Sequence, residues 1–156
     1  YNRLNDNKGV KFDFSIWDNK SLEHIYPKSM FFHTVVNEET QEIRYVRGDG
    51  ADISFDKTKD LRNSDTEFSN PSRYSEHCIG NLVLLYGKNN SEFSNLPFED
   101  KKFKFFHNER KFESRNLLHT ISSFASSKWD IKEIESSADS FIERFKKDYN
   151  IQENNE

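Results

Sequence analysis

Short stretches in which hydrophobic and polar residues alternate run through the first half of the chain, and this period is typical of β-strands. Strands are predicted at FDFSIW (12–17), LEHIY (22–26), FFHTVV (31–36) and EIRYV (42–46). Proline fixes φ and donates no backbone hydrogen bond, so Pro27 should end the second strand. NLVLLYG at 81–87 is a continuous apolar run closed by a glycine, which predicts a buried strand.

Helical spacing dominates the last third of the chain. A short helix is predicted after Pro97, because proline is tolerated in a first helical turn. A second helix is predicted from the apolar face formed by Leu117, Leu118, Ile121 and Phe124. Asp130 should cap the last helix, with Glu133 completing a capping box. The buried stripe of that helix is predicted to be Ile131, Ile134, Ala138, Phe141, Ile142, Phe145 and Tyr149.

The order of these elements, strands first and helices last, predicts one α+β domain. A chain of 156 residues suits a single domain with one core. We expect a linker from a missing upstream domain at 1–11, the domain itself at 12–150 and a frayed tail at 151–156. Within the domain, 28–75 is interpreted as an insertion or long loop carrying a hairpin, and 110–149 as a helical part.

Composition indicates the nature of the core and the cellular compartment. Hydrophobic residues make up only 33% of the chain but include 15 Phe, 6 Tyr and 2 Trp, so the core should be aromatic. The single cysteine, Cys78, excludes an internal disulfide and a multi-cysteine zinc knuckle, and fits a reducing setting. No apolar run approaches the roughly 20 residues of a membrane span, and no signal peptide opens the chain. We therefore expect a cytoplasmic protein without a membrane partner.

Charge is unevenly distributed along the chain. The net charge of -4 argues weakly against nucleic-acid binding, because domains that bind nucleic acids usually carry a basic surface. Residues 37–67 hold nine acids against five bases, a sum of -4. Residues 100–111 hold five bases against two acids, a sum of +3, so an anionic ligand would favour this second stretch.

The stretch SLEHIYPKS (21–29) places an acid and a histidine just before a proline, and further motifs follow after the insertion. The motifs are Glu23-His24-Ile25-x-Pro27, Gly80-Asn81-Leu82-x-Leu84-Leu85, Asn90-Ser91 and Phe98-x-x-Lys101-Lys102. Together they resemble the HNH endonucleases, and most closely the C-terminal nuclease domain of GmrSD-type modification-dependent restriction enzymes. The resemblance implies a ββα-metal finger formed by 21–27 and 77–106, interrupted by the insertion and packed against C-terminal helices.

The resemblance also implies a role for each residue of the site. His24 would be the general base, and Asn81 would hold the loop or orient His24. Glu23 and Asn90 would be metal ligands. Carboxylate and amide oxygens are hard donors, so one Mg²⁺ or Mn²⁺ is the expected cofactor rather than zinc. Asn89 is also a typical turn residue, and the choice of Asn90 over it rests on the resemblance alone.

Strand geometry places a condition on this site. A neutral imidazole can take a proton from water at neutral pH, which suits His24 to the role of base. Adjacent residues of a strand point to opposite faces, so Glu23 and His24 cannot both reach one point from a regular strand. The turn at Pro27, or a bulge at the end of the strand, is expected to re-aim one of them.

Lysines near the predicted site are candidates for contact with DNA backbone phosphates. Lys101 and Lys102, on the helix of the finger, and Lys88 before it would position DNA without reading its sequence. The Lys101 and Lys102 pair is equally compatible with a solvated helix face. His77 is a candidate accessory residue that either reaches the site or simply fills the loop.

The sequence therefore predicts metal-dependent hydrolysis of DNA phosphodiesters in bacterial restriction or anti-phage defence. The resemblance implies an upstream ParB-like nucleotide-binding domain in the same protein. Two alternatives remain open at this point: a non-catalytic HNH-shaped module that binds DNA or a protein, and an RNase that uses the same site. Loss of Glu23, His24 or Asn90 would favour the module, and all three are present.

Overall fold

The computed structural model describes residues 16–61, 67–70, 73–107 and 117–151. The elements are α1 (Ile16–Asn19), β1 (Lys20–His24), β2 (Phe32–Val36), β3 (Ile43–Arg47), β4 (Asp52–Ile53), α2 (Phe55–Leu61), β5 (Leu82–Tyr86), α3 (Gly87–Asn90), α4 (Phe98–His107), α5 (Leu118–Phe124) and α6 (Ile131–Asp148). Single 3₁₀ turns lie at Lys28–Met30 and Ile79–Asn81. Small sheets combined with helices confirm the predicted α+β class.

Two antiparallel sheets organise the described residues. One pairs β1 with β5, from Lys20 opposite Tyr86 to His24 opposite Leu82. The other has the order β2-β3-β4 and lies wholly within 28–75. The strands predicted at 31–36 and 42–46 are therefore confirmed, and the insertion adds a third short strand and α2 to the predicted hairpin.

The core is built from phenylalanines, as the composition predicted. Phe124 on α5 lies at its centre, with ring centroids 5.3 Å from Phe93, 5.0 Å from Phe105 and 6.1 Å from Phe98. Such aromatic pairs each contribute roughly 0.5–1.5 kcal/mol beyond the burial of their surface. Phe93 precedes α4 and Phe98 begins it, so this cluster fixes the segment that follows α3.

The last helix begins as predicted and ends differently. Asp130 accepts a hydrogen bond from the Lys132 N–H, and the Glu133 carboxylate accepts one from the Asp130 N–H, which forms the capping box. The first part of the predicted stripe is buried through Ala138. Phe145 and Tyr149 are 56% and 69% exposed, so their predicted burial is wrong. The helix continues to Asp148, well beyond its last core-cluster residue, Ile134, and periodicity alone does not show where a helix loses its packing partner.

The first predicted strand, at 12–17, is also corrected. Its last two residues, 16 and 17, belong to α1. Alternation of apolar and polar residues over so short a stretch does not distinguish a strand from a helical turn, particularly where Asp18 and Asn19 follow. Several predicted segments lie outside the described residues: 12–15 of that strand, the linker 1–11, most of 63–72, residues 110–116 and the tail from 152. Within the described ranges, none of the helices has the length and apolar character needed to cross a membrane.

Candidate active site

The end of β1 carries the residues that the sequence places at the centre of the site. Glu23 pairs with Val83 and His24 with Leu82 in an unbroken register, so no bulge re-aims either side chain. Glu23 is buried and His24 is half-buried. Neighbouring side chains of a strand face opposite sides. The carboxylate and the imidazole accordingly have different partners, a lysine and a second histidine.

Asn81 holds the chain in place directly after β1. Its fully buried carboxamide accepts a hydrogen bond from the Tyr26 N–H (2.8 Å) and donates to the carbonyl oxygens of Tyr26 (3.0 Å) and Glu76 (2.9 Å). The backbone carbonyl oxygen of Asn81 accepts a hydrogen bond from the Ile25 N–H at 2.9 Å. Both ends of the carboxamide are thus bound to backbone. Asn81 therefore suits the bracing role expected of it.

A cavity of about 340 Å³ opens beside the end of β1. Its lining includes Glu23, His24, Lys28, Asn90, Asn95 and Lys101. Glu23, His24 and Asn90 therefore meet at one cavity, although the insertion separates the first two from the third in the sequence. The lining carries both negative and positive groups, an arrangement suited to a cation together with an anionic ligand.

Glu23 and Lys101 form a buried ion pair beside this cavity. The Lys101 ammonium lies 2.6 Å from Glu23 Oε1 and donates to the carbonyl oxygen of His24, also at 2.6 Å. Burial raises the pKa of the Glu23 carboxyl, and the nearby ammonium opposes that rise. Burial also lowers the pKa of Lys101, against the attraction of Glu23. Removing one partner of such a pair leaves a buried charge and typically costs about 3–5 kcal/mol, so the two residues depend on each other.

Asn90 ends α3 with its side chain turned toward β1. Its Nδ2 donates to Ser21 Oγ at 2.6 Å and lies 3.5 Å from the carbonyl oxygen of Leu22. Its Oδ1 is buried, and among the described residues no group donates a hydrogen bond to it. A buried amide oxygen is costly unless a donor or a cation satisfies it. This oxygen therefore fits the predicted role of Asn90 as a ligand of a hard cation.

Glu23 and Asn90 contribute oxygen donors to the lining of the cavity. Within the described ranges, no three His, Cys, Asp or Glu side chains form a group that could hold a metal ion. A metal ion would therefore rely on the Glu23 carboxylate, the Asn90 amide oxygen, water and a substrate. Few protein ligands and several waters are the coordination that Mg²⁺ accepts in phosphate-processing sites.

The imidazole of His24 contacts a second histidine. Its Nε2 lies 3.0 Å from Nδ1 of His77, and the two rings meet nearly edge to face with centroids 5.1 Å apart. Burial, together with repulsion from His77, Lys28 and Lys101, lowers the pKa of His24 to about 4. His24 is therefore neutral at pH 7, the protonation state that a general base requires. His77 therefore lies in direct contact with His24.

Glu76 and His33 extend this contact, although sequence reasoning gave neither a role. His33 Nε2 lies 2.9 and 3.0 Å from the two carboxylate oxygens of Glu76. Glu76 Oε1 is 3.7 Å from His77 Nε2. The local signal that could have marked Glu76 is the Glu-His dipeptide it forms with His77, a repeat of Glu23 and His24. His33 carries no such signal, because the fold alone brings β2 to this place.

The predicted phosphate-binding lysines lie in three different environments. Lys101 is 1% exposed within its ion pair, so it does not suit the predicted surface contact with DNA. Lys102 is half-buried, and its ammonium donates to the carbonyl oxygen of Ser126 at 2.6 Å. Lys88 is exposed on α3, and Lys28, a further lysine outside the predicted set, lines the cavity. The latter two are the cations best placed for a polyanion.

Fold and cavity together define an α+β domain with a polar cleft that combines a carboxylate, an imidazole, an amide and cationic side chains. The family described as GmrSD restriction endonucleases, C-terminal domain, matches residues 1–144. The chain therefore belongs to this restriction-type nuclease family, and the resemblance inferred from the sequence is confirmed. No curated protein and no solved structure matches the chain.

Proposed function

We propose that this domain is a metal-dependent endonuclease of the ββα-metal (HNH) type, which hydrolyses DNA phosphodiester bonds in bacterial restriction or anti-phage defence. The observation that carries the proposal is one cavity lined by Glu23, His24 and Asn90, with a buried Asn90 oxygen that lacks a donor among the described residues. Membership of a restriction endonuclease family supports the reaction class. Strands β1 and β5 with helices α3 and α4, within 21–27 and 77–106, would form the finger.

Glu23 and Asn90 would hold one Mg²⁺ or Mn²⁺ in this site. When bound, such an ion neutralises charge on the scissile phosphate and on the leaving oxygen. Lys101 fixes the position of the Glu23 carboxylate, and Ser21 anchors the nitrogen end of the Asn90 amide. The ammonium of Lys101 also offsets the charge of Glu23, so an incoming phosphate meets less repulsion.

His24 would accept a proton from the attacking water. Its imidazole is neutral at pH 7, because burial and nearby positive charge hold its pKa at about 4. A phosphate bound beside the ring would raise that pKa, since a nearby negative charge stabilises the imidazolium. The histidine would therefore become an effective base only when substrate is present.

Contacts with the DNA backbone fall to Lys28 in the cavity and Lys88 on α3. Lys102 would join them once its contact with Ser126 opens. Such contacts position a duplex without reading its sequence. Because the domain carries a net charge of -4, we assign target selection to the upstream ParB-like nucleotide-binding domain of the same protein, acting in the cytoplasm.

The buried ion pair favours one alternative, a non-catalytic HNH-shaped module that binds DNA or a protein. In such a module the Lys101 ammonium would replace a metal ion as the permanent partner of Glu23. The two functions predict different outcomes in one assay, because only the enzyme converts its ligand.

Incubation of the chain with supercoiled plasmid and with RNA of matched sequence, in Mg²⁺, Mn²⁺ or EDTA, tests the proposal. We expect cleavage of the DNA that requires either metal ion and stops in EDTA. Cleavage of the RNA alone would reassign the activity to an RNase. Retention of DNA without cleavage at any metal concentration would establish the binding module instead.

A further inference from the structure

We propose that Glu76, a buried carboxylate from the loop before β5, fixes the tautomer and orientation of His24 through His77, and that His33 of β2 holds Glu76 in place. The inference rests on the proposed role of His24 as the general base. It adds two positioning residues, Glu76 and His33, that lie two and three contacts away from the base. It also gives the segment 28–75 a part in the chemistry, since His33 belongs to that segment.

Four side chains follow one another in a line, in which the two outer contacts lie within hydrogen-bond distance and the middle one is a longer electrostatic contact. The ring of His24 approaches His77 with 3.0 Å between Nε2 and Nδ1, and the far nitrogen of His77 lies 3.7 Å from Glu76 Oε1. Both oxygens of Glu76 lie within 3.0 Å of His33 Nε2. Glu76 is 6% exposed, whereas His33 is half exposed at the surface. The carboxylate is thus enclosed between two imidazoles.

The carboxylate determines where protons lie along this line. An ionised carboxylate only accepts hydrogen bonds, so the nitrogen of His33 that faces Glu76 must carry a proton. By the same attraction, the proton of a neutral His77 is favoured on Nε2, the nitrogen nearer to Glu76. Nδ1 of His77 then has a free lone pair and accepts from the Nε2–H of His24. His24 is left with its lone pair on Nδ1, the nitrogen able to take a proton from water.

The surroundings of Glu76 keep it in this position. Its carbonyl oxygen accepts a hydrogen bond from Asn81, the residue that also braces the chain after β1. The turn after β3 closes over its side chain, because a Cβ placed on Gly48 would lie 3.2 Å from Glu76 Oε1 and 2.7 Å from the carbonyl oxygen of Lys28. A carboxylate held by backbone, side chain and a close turn has little freedom to leave His77.

Nuclear magnetic resonance of the chain with ¹⁵N-labelled histidine reads the tautomers directly. We expect His24 to carry its proton on Nε2 in the wild-type chain. Glu76→Gln removes the negative charge that sets the positions of the protons on His77 and His24, so the proton of His24 should shift toward Nδ1. His33→Ala, at a half-exposed position, should shift it in the same direction to a smaller extent. Glu135→Gln, which alters a carboxylate on α6 that binds Ser69, is the matched control and should change nothing.

Cleavage kinetics provide the second measurement. Loss of an outer partner of a metal-ligating histidine typically costs about 10- to 100-fold, and for the base His24 we expect Glu76→Gln to lose kcat in a similar range with little change in KM. An Nδ1–H tautomer of His24 in the wild-type chain would overturn the inference, as would a tautomer that neither Glu76→Gln nor His33→Ala changes. A chain that shows the expected tautomers but cuts no nucleic acid would uphold the positioning role and overturn the proposed function alone.

Discussion

Two asparagines show how one type of side chain suits two different roles at the candidate site. The carboxamide of Asn81 binds backbone through both its oxygen and its nitrogen. Asn90 is anchored through its nitrogen, and its oxygen has no donor among the described residues. An unsatisfied buried acceptor costs about 1–3 kcal/mol. That difference supports the proposed ligand role of Asn90 and the proposed bracing role of Asn81.

Substitution of Asn90 separates a ligand from a structural residue. Asn90→Ala removes the oxygen and should weaken Mn²⁺ binding at least about tenfold, the effect of losing ~1.4 kcal/mol. Asn90→Asp keeps an oxygen and adds a negative charge, so it should bind Mn²⁺ as tightly as the wild type or more tightly. Titration with Mn²⁺ followed by electron paramagnetic resonance measures this without an activity assay. Equal affinity in all three proteins would exclude Asn90 as a ligand.

At the scale of elements, the 3₁₀ turn before β5 packs directly against α6. A Cβ placed on Gly80 would lie 2.0 Å from the carbonyl oxygen of Ile134 and 2.7 Å from the nitrogen of Ala138. Residues with a side chain do not fit there, so the close approach of turn and helix requires glycine. Asn81 follows this glycine directly, and His77 precedes it by three residues. The packing of the turn against α6 therefore helps to hold both side chains in position.

Gly80→Ala should therefore lower the free energy of unfolding by about 3 kcal/mol, since the added methyl must push α6 from the turn. Gly87→Ala is the matched control, because its nearest neighbour would be the carbonyl oxygen of Asn19 at an ordinary 3.5 Å. That change should be neutral or slightly stabilising in helix α3. Urea unfolding measures both variants. Similar midpoints for the two would contradict the proposed contact.

Local signals explain which elements were predictable from the sequence. The capping box of α6 and the buried strand β5 depend on neighbours within a few residues, and both are confirmed. The exposed end of α6, with Phe145 and Tyr149, depends on where its packing partners stop, which the amphipathic pattern does not contain. At α1 the alternation of apolar and polar residues is too short to distinguish a strand from a helical turn.

The candidate site was predictable only as far as its motifs reach. Glu23, His24 and Asn90 line one cavity because β1 pairs with β5 and α3 follows directly, an order readable from the chain. The burial of Lys101 was not readable, since its spacing on α4 fits an exposed face equally well. Glu76 was missed because its partners come from distant segments that only the fold brings together.

At the scale of the whole molecule, the sheet β2-β3-β4 contacts the loop before β5, because His33 of β2 binds the Glu76 carboxylate. The sheet β2-β3-β4 supplies His33, and the carbonyl oxygen of Phe31 accepts from the Gly48 N–H at 3.0 Å, which ties the turn after β3 back to the start of β2. On the opposite side, Thr120 of α5 donates to the carbonyl oxygen of Leu84 on β5 at 2.8 Å. The segment 28–75 is thus part of the domain's structure and not only a loop.

Stability of the whole domain should depend on pH through His119 of α5. Burial lowers the pKa of His119 to about 4 from its ordinary value of 6.5. Between pH 6.5 and 4 the unfolded chain therefore binds more protons at this residue than the folded chain does, so stability falls as pH falls through this window. His119→Phe should reduce the slope of unfolding free energy against pH by up to one proton, about 1.4 kcal/mol per pH unit. Urea unfolding between pH 6.5 and 4 measures this slope. The same slope in His119→Phe and in the wild-type chain would contradict this assignment.

The rate of plasmid cleavage in Mg²⁺ or Mn²⁺ by His24→Ala, compared with wild type, tests the central claim most directly. A general base contributes about 10²- to 10⁴-fold, so we predict a loss in that range while circular dichroism shows the variant folded. His107→Ala, an exposed histidine of α4, is the matched control and should cut at the wild-type rate. A folded His24→Ala protein that cleaves DNA as fast as the wild type would contradict the account.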